Sequence, residues 1–111
     1  FLNYGVYLMD GAPITLGKRC FLGPGCGLYT ANHPLLAVQR AQGLERALPI
    51  TLEDDVWLGG NVVVLQGVTI GHGSVIGAGS VVTRDIPAGV VAAGSPCRVL
   101  RPITEADRIT P

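Results

Sequence analysis

The amino-acid sequence predicts an all-β protein, a parallel β-helix of about four coils with one extruded loop and a short C-terminal cap. A six-residue repeat runs through most of the chain, and that period does not fit the roughly 3.6 residues per turn of an α-helix. Glycine supplies 16 of the 111 residues, whereas aromatic residues make up 5%. This mixture is typical of tight turns around a core of small aliphatic side chains.

The repeat places an aliphatic residue at every sixth position, namely Leu52, Leu58, Val64, Ile70, Ile76 and Val82. The positions two residues earlier hold Ile50, Val56, Val62, Val68, Ser74 and Ser80. An upstream block repeats the pattern with Leu16, Leu22 and Leu28 after Ile14, Cys20 and Cys26. Residues two apart point to the same side of a strand, and turn-forming residues follow each pair. Three such units, 18 residues in all, close one coil, and each coil hydrogen-bonds to the next.

The outward positions predict which faces of the solenoid are apolar. Residues 18 apart stack, which places Trp57 above Val75 and Ala93 on one face, Val63 above Val81 on a second, and Thr51 above Thr69 on the third. Two apolar faces indicate a buried interface between subunits. Alternatively, valine occurs there because it suits strands whatever they face, and Trp57 has only a packing role.

Composition excludes several classes of function. The formal net charge is zero, so there is no bulk electrostatic case for nucleic-acid or membrane binding. No apolar run approaches the roughly 20 residues of a membrane span, and no signal peptide is visible. Cys20, Cys26 and Cys97 lack metal-binding spacing, which favours reduced thiols and a cytoplasmic location. The chain begins at Phe1, not Met, and we expect an upstream segment.

The repeat is interrupted by an excursion loop over about residues 31–49, and one of the two histidines lies at its start. A long loop in a compact fold is often functional. His33 precedes Pro34, which disfavours helix at His33. An imidazole accepts a proton near neutral pH, although His33 could instead anchor the loop by hydrogen bonds.

The tandem [LIV]-G-x-x-x-x repeat resembles the hexapeptide signature of the left-handed β-helix acyltransferases. More narrowly, maltose and galactoside O-acetyltransferases are similar in the segments NYGVYLMDGAPITLG, GPGCGLYTANHPL, PITLEDDVWLGG, GVTIGHGSVIGAGSVVTRDIP and VVAAGSPCRVLR. The resemblance covers nearly the whole chain and implies one domain over residues 1–111. It also implies a left-handed helix, a homotrimer with active sites between subunits, acetyl-CoA as co-substrate and no metal. The N-terminal segment of that family, which forms much of its acceptor pocket, is absent from this sequence.

The resemblance also implies roles for individual residues. The motif TANHP makes His33 the general base, and Asn3 and Asp10 fall at substrate contacts. The implied cofactor contacts are Trp57, Gly60, Ala78, Thr83, Arg84, Arg98 and Arg101. From the residues alone, Asn3, Asp10 and the small corner residues could be present only because they favour turns. The arginines could be ordinary solvent-exposed residues with no ligand. Gly11 stands where at least one galactoside enzyme has a second acidic residue, so the identity of the acceptor cannot be carried over from that enzyme.

These observations predict an acetyl-CoA-dependent O-acetyltransferase acting on a hydroxyl of a sugar or related small molecule. One alternative is a non-catalytic β-helix module for oligomerisation or cofactor binding, and another is an acetyltransferase for an antibiotic or amino acid. A zinc site of the carbonic anhydrase type needs three histidines, two of them closely spaced. His33 and His72 are 39 positions apart, and we expect His72 to be solvent-exposed at a plain corner.

Overall fold

A computed structural model describes all 111 residues as a stack of short strands with one excursion. The strands are β1 (Tyr7–Met9), β2 (Ile14–Leu16), β3 (Phe21–Leu22), β4 (Gly27–Tyr29), β5 (Ala31–Asn32), β6 (Arg46–Ala47), β7 (Ile50–Leu52), β8 (Trp57–Leu58), β9 (Val63–Val64), β10 (Thr69–Ile70), β11 (Val75–Ile76), β12 (Val81–Val82), β13 (Val90–Gly94) and β14 (Cys97–Pro102). The helices are α1 (Ala37–Ala41) and one 3-10 turn at Glu105–Asp107. None of these helices is long and apolar enough to cross a membrane.

The strands form three parallel faces around the solenoid. Face 1 contains β3, β8, β11 and β13, face 2 contains β1, β4, β9 and β12, and face 3 contains β2, β7 and β10. Isolated bridges extend two faces by one rung each, from Leu2 to Leu22 and from Ile70 to Ile86. The predicted parallel β-helix of about four coils is confirmed.

The inward positions of the repeat form one continuous core of 17 buried residues. All six of the predicted downstream aliphatic residues from Leu52 to Val82 are fully buried. Ile14 and Leu16 are only partly buried, because their strand β2 lies at the edge of face 3, where no further coil covers it. The core is filled by its own side chains, so a sizeable ligand must bind outside the coil.

Most corners contain a left-handed residue, and several bring the backbones of neighbouring coils close together. Three corner residues other than glycine have positive φ, namely Arg19 at 55°, Asp55 at 62° and Asn61 at 57°. Earlier in the corner, a Cβ added at Gly59 would lie 2.8 Å from the backbone nitrogen of Ala78 in the next coil. Where a glycine follows the aliphatic residue, as after Leu16, Leu22, Leu58 and Ile70, the close approach of the neighbouring coil's backbone leaves no room for a side chain.

The last coil differs from the 18-residue expectation. Val75 pairs with Val91, and Ile70 bridges to Ile86, so the spacing there is 16 residues. The prediction that Ala93 stacks on Val75 is wrong, because the turn before Ile86 is two residues short. Within that turn the carboxylate of Asp85 accepts the backbone N–H of Thr69 at 2.8 Å, where a regular coil would supply a carbonyl.

The C-terminal tail turns back on face 1. Strand β14 pairs antiparallel with β13, and a single 3-10 turn follows it. The Asp107 carboxylate accepts the N–H of Thr104 at 2.9 Å, which caps this turn.

The coil spacing predicts a contrast between two adjacent glycines. We expect Gly59→Ala to lower the free energy of unfolding by about 1–3 kcal/mol, because its Cβ would meet the next coil's backbone. Gly60→Ala is the control, since its added Cβ lies at least 3.5 Å from its nearest neighbour, the carbonyl oxygen of Pro24. Urea unfolding of both variants tests this, and equal destabilisation would contradict it.

A corner ion pair predicts a pH-dependent contribution to stability. Arg19 donates to both carboxylate oxygens of Asp55 at 2.6 and 3.0 Å, and this lowers the pKa of Asp55. A lowered carboxylate pKa stabilises the fold above the unfolded pKa of about 3.9, and this is lost as pH falls through the folded pKa. Asn tolerates positive φ, so Asp55→Asn should be less stable than wild type at neutral pH but not in acid. A difference in unfolding free energy that stays constant across pH would contradict this.

Candidate active site

The corner that follows face 1, called here the face 1/2 corner, is lined by small residues. Leu2, Leu22, Leu58 and Ile76 are in register, so the residues after them stack along the solenoid. The resulting row is Asn3, Gly23, Gly59–Gly60 and Gly77–Ala78. Gly59–Gly60 and Gly77–Ala78 carry almost no side chain, so these two rungs of the corner leave the backbone open to a long, thin ligand.

The corner that follows face 2, the face 2/3 corner, carries the polar candidates. Its register comes from the pairs Met9 with Tyr29, Leu28 with Val64, and Val64 with Val82. The residues that follow these strands are Asp10, the excursion with His33, Gln66, and Thr83 with Arg84. Neighbouring rungs lie about 4.8 Å apart, so these side chains share one edge of the solenoid.

The excursion has more internal structure than the sequence suggested. Strands β5 and β6 pair antiparallel through Ala31 with Ala47 and Asn32 with Arg46, and helix α1 makes one short turn between them. His33 follows this ladder directly and is exposed. It borders a cleft of about 500 Å³ that Gln66 of the neighbouring rung also lines. The imidazole makes no hydrogen bond within this subunit, so an anchoring role for it has no partner here.

A buried threonine joins the excursion to the turn that contains Asp10. The Thr30 hydroxyl donates to the carbonyl of Met9 at 2.6 Å and accepts the N–H of Ala12 at 3.1 Å. The carbonyl of Thr30 accepts the N–H of Leu48 at 2.8 Å, at the other end of the excursion. The repeat pattern does not identify Thr30 as a site residue. Its one signal was a polar residue just before the repeat breaks.

Asn3, at the face 1/2 corner, lies beside Trp57 on the adjoining edge of face 1. Both line an apolar groove of about 380 Å³ beside Phe21, which pairs with Trp57 across the coils. The Asn3 side-chain oxygen accepts the N–H of Tyr4 at 2.8 Å, a turn interaction that leaves its amide group free to donate. Trp57 is 52% exposed, so this subunit alone does not bury it.

One subunit does not gather all the predicted site residues. The clefts beside His33, Asp10 and Asn3 have no lining residue in common. The two corners are separated by the width of face 2, about six residues of nearly extended chain or roughly 15–20 Å. A general base must lie about 3 Å from the proton that it takes. The two corners of one chain are therefore too far apart for side chains at both to contact the same proton.

Three comparisons with known proteins bear on this arrangement. A family model described as bacterial transferase hexapeptide (six repeats) matches residues 49–84. A Saccharomyces cerevisiae protein named provisionally as an acetyltransferase is 52% identical over 110 residues, 99% of this chain and 56% of its own.

Two solved structures are similar over more than nine-tenths of this chain. A hexapeptide-repeat acetyltransferase of Vibrio cholerae, in complex with acetyl coenzyme A, has a TM-score of 0.92 and 47% identity over 95% of this chain and 57% of its own. A galactoside acetyltransferase in complex with coenzyme A has a TM-score of 0.90 and 45% identity over 92% of this chain and 51% of its own. The chain belongs to the hexapeptide-repeat acetyltransferases.

Membership in the hexapeptide-repeat acetyltransferases confirms the resemblance seen in the sequence. It also confirms that the β-helix is left-handed. The chain spans little more than half the length of these relatives, 56% of the yeast protein and 57% of the Vibrio protein. The residue roles carried over from the family stay predictions.

The three arginines of this hexapeptide-repeat acetyltransferase differ in their present contacts. Arg84 is exposed and makes no side-chain hydrogen bond within the chain. Arg98, which pairs opposite Ala93, donates to the carbonyl of Cys97 at 2.9 Å. Arg101 is engaged by both carboxylate oxygens of Asp107 at 2.9 and 3.0 Å. A phosphate that binds Arg101 must therefore compete with this carboxylate.

The Cys97 thiol is not activated by the arginine beside it. Burial raises the pKa of Cys97, and the opposing charge of Arg98 does not overcome this effect. The thiol is 3% exposed and packs with the core. A structural role fits this environment, because nucleophilic cysteines have lowered pKa values and accessible sulfur atoms.

Proposed function

We propose that the protein transfers the acetyl group of acetyl-CoA to a hydroxyl of a small molecule, with a sugar or related compound as the acceptor class. The observation that carries this proposal is the exposed His33, which borders a cleft at one corner of face 2 while the other corner is lined by small residues. Similar proteins crystallised with acetyl-CoA or coenzyme A support it.

The side chains present fit coenzyme A. At the face 1/2 corner, Gly60 and Ala78 leave the backbone open to an extended pantetheine arm. The guanidinium groups of Arg84, Arg98 and Arg101 suit the pyrophosphate and the ribose phosphate, because a guanidinium binds phosphate through two parallel hydrogen bonds. When bound, acetyl-CoA supplies an activated thioester carbon.

His33 acts as the general base. Its neutral imidazole takes the proton of the acceptor hydroxyl as that oxygen attacks the thioester carbon. A carbon–oxygen bond forms and the carbon–sulfur bond breaks, and the protonated imidazole returns the proton to the departing sulfur. Asp10 and Asn3 bind the acceptor, and Asn3 does so through the amide group that its turn leaves free.

The assembly that we propose is a homotrimer with active sites between subunits. Exposed apolar side chains support it on both faces that border the face 1/2 corner, with Phe21 55% exposed on face 1 and Tyr7 55% exposed on face 2. In the excursion, Leu35 is 95% exposed. Apolar exposure on this scale is costly in a monomer. Pairing the face 1/2 corner of one subunit with the face 2/3 corner of another places Trp57 and His33 in one cleft.

The base assignment predicts the effect of removing His33. His33→Ala should lower kcat by about 10²- to 10⁴-fold and leave coenzyme A affinity nearly unchanged, because the imidazole moves a proton and does not hold the cofactor. Release of coenzyme A from acetyl-CoA across a panel of sugars, amino acids and antibiotics measures this and identifies the acceptor class.

His72→Ala is the matched control, since the only other histidine is exposed at a plain corner and should be dispensable. Equal losses in the two variants, or a loss explained by a lower melting temperature, would reject the base assignment. Binding of acetyl-CoA without turnover on any acceptor would instead favour a cofactor-binding module.

The Arg101–Asp107 ion pair predicts competition with coenzyme A. Asp107→Asn should free Arg101 and tighten coenzyme A binding by up to about fivefold, the range of an exposed ion pair. The gain in affinity on Asp107→Asn should be smaller for dephospho-coenzyme A if Arg101 contacts the ribose phosphate. Glu105→Gln is the control, because Glu105 pairs with Arg108 and not with Arg101. Calorimetry measures the affinities, and unchanged binding in Asp107→Asn would remove Arg101 from the phosphate site.

A further inference from the structure

The backbone that carries His33 is held firmly on one side only. Immediately upstream, Ala31 and Asn32 pair with the returning strand β6, and Thr30 fixes the start of the excursion. Downstream, the ladder ends, and Pro34 has no N–H with which to continue it. The position of the imidazole therefore depends on what fixes the segment after Pro34.

That segment has few other means of support. Helix α1 has five residues, none of them buried, and its N-cap Leu36 offers no side-chain hydrogen bond. Isolated helices this short are unstable in water. Residues 35–41 are all exposed, so contact with the core does not order them.

A single arginine in the last turn of α1 bonds back to this segment. Nη1 of Arg40 donates to the carbonyl oxygens of Pro34 at 3.0 Å and Leu35 at 2.7 Å. The backbone N–H of Arg40 donates to the carbonyl of Leu36 at 3.1 Å. One residue therefore holds three successive carbonyls directly after His33. The side-chain bonds come from a charged donor, which makes them stronger than bonds between neutral groups.

We propose that Arg40 is a positioning residue for His33: it fixes the His33–Leu36 turn so that the imidazole points in one direction across the cleft. The expected effect on kcat rests on the proposed function of His33 as the base. The expected ordering of the His33–Leu36 turn does not. Arg40 touches neither substrate in this account and acts through the backbone that carries the base.

Kinetics of three variants test the catalytic consequence. Arg40→Ala should lower kcat by about 10- to 100-fold with little change in the KM for acetyl-CoA, because a displaced base slows chemistry without weakening cofactor binding. Arg40→Lys should recover part of the loss, since one nitrogen atom makes both side-chain bonds. Arg108→Ala is the control. It removes another exposed arginine from a short helical end, and its kcat should match that of wild type.

A spectroscopic readout tests the structural consequence independently of turnover. With His72→Gln as the background, His33 is the only histidine, so the imidazole Cε1–H gives one NMR signal. That signal should be single and sharp when Arg40 is intact, both in the background protein and in its Arg108→Ala control. It should be broadened or split in Arg40→Ala and restored in Arg40→Lys.

The outcomes separate the two proposals. If wild type transfers acetyl groups but Arg40→Ala leaves kcat and the His33 signal unchanged, the inference is overturned and the proposed function stands. If kcat falls while the signal stays sharp, Arg40 acts in some other way and the inference is also overturned. If wild type transfers nothing to any acceptor, the proposed function fails, and the signal alone decides whether Arg40 holds the turn.

Discussion

The backbone hydrogen bonding between successive coils is the constraint on which the rest of the structure depends. Each coil must match the next in register, so the aliphatic residues stack inward and the corners stack at the edges. At Gly59 the neighbouring backbone comes so close that no side chain fits. Because the stacked side chains fill the interior, every binding surface must be built on the outer faces and corners.

The same constraint explains how the excursion is tolerated. The pair Leu28 and Val64 is 36 residues apart, whereas Val64 and Val82 are 18 apart, so an extra coil's length of chain leaves the stack without disturbing its register. Thr30 and the β5–β6 ladder close the base of this excursion. A regular scaffold thereby presents one irregular segment, with His33 beside polar residues of the neighbouring rungs.

Much of the fold could be predicted from the sequence, because the repeat encodes which residue points inward. The prediction from the repeat failed in the last coil, where Val91 and not Ala93 pairs with Val75. Nothing in the spacing shows that, in the turn near Asp85, a side chain replaces a backbone carbonyl as hydrogen-bond acceptor. Candidate site residues came from motif resemblance. The contacts of Thr30 and Arg40 and the Arg101–Asp107 ion pair could not be predicted, because each joins segments whose approach depends on the three-dimensional path of an irregular turn.

The central claim is that a working site combines the face 1/2 corner of one subunit with the face 2/3 corner of another. The most direct test refolds two inactive variants together. One is His33→Ala, and the other is Ala78→Trp, in which the bulky tryptophan fills the small-residue corner. In mixed homotrimers about a quarter of the sites receive one intact corner from each variant, so acetyl transfer should return to about a quarter of the wild-type rate. Activity no higher than that of either variant alone would mean that each site lies within one subunit, and would contradict the account.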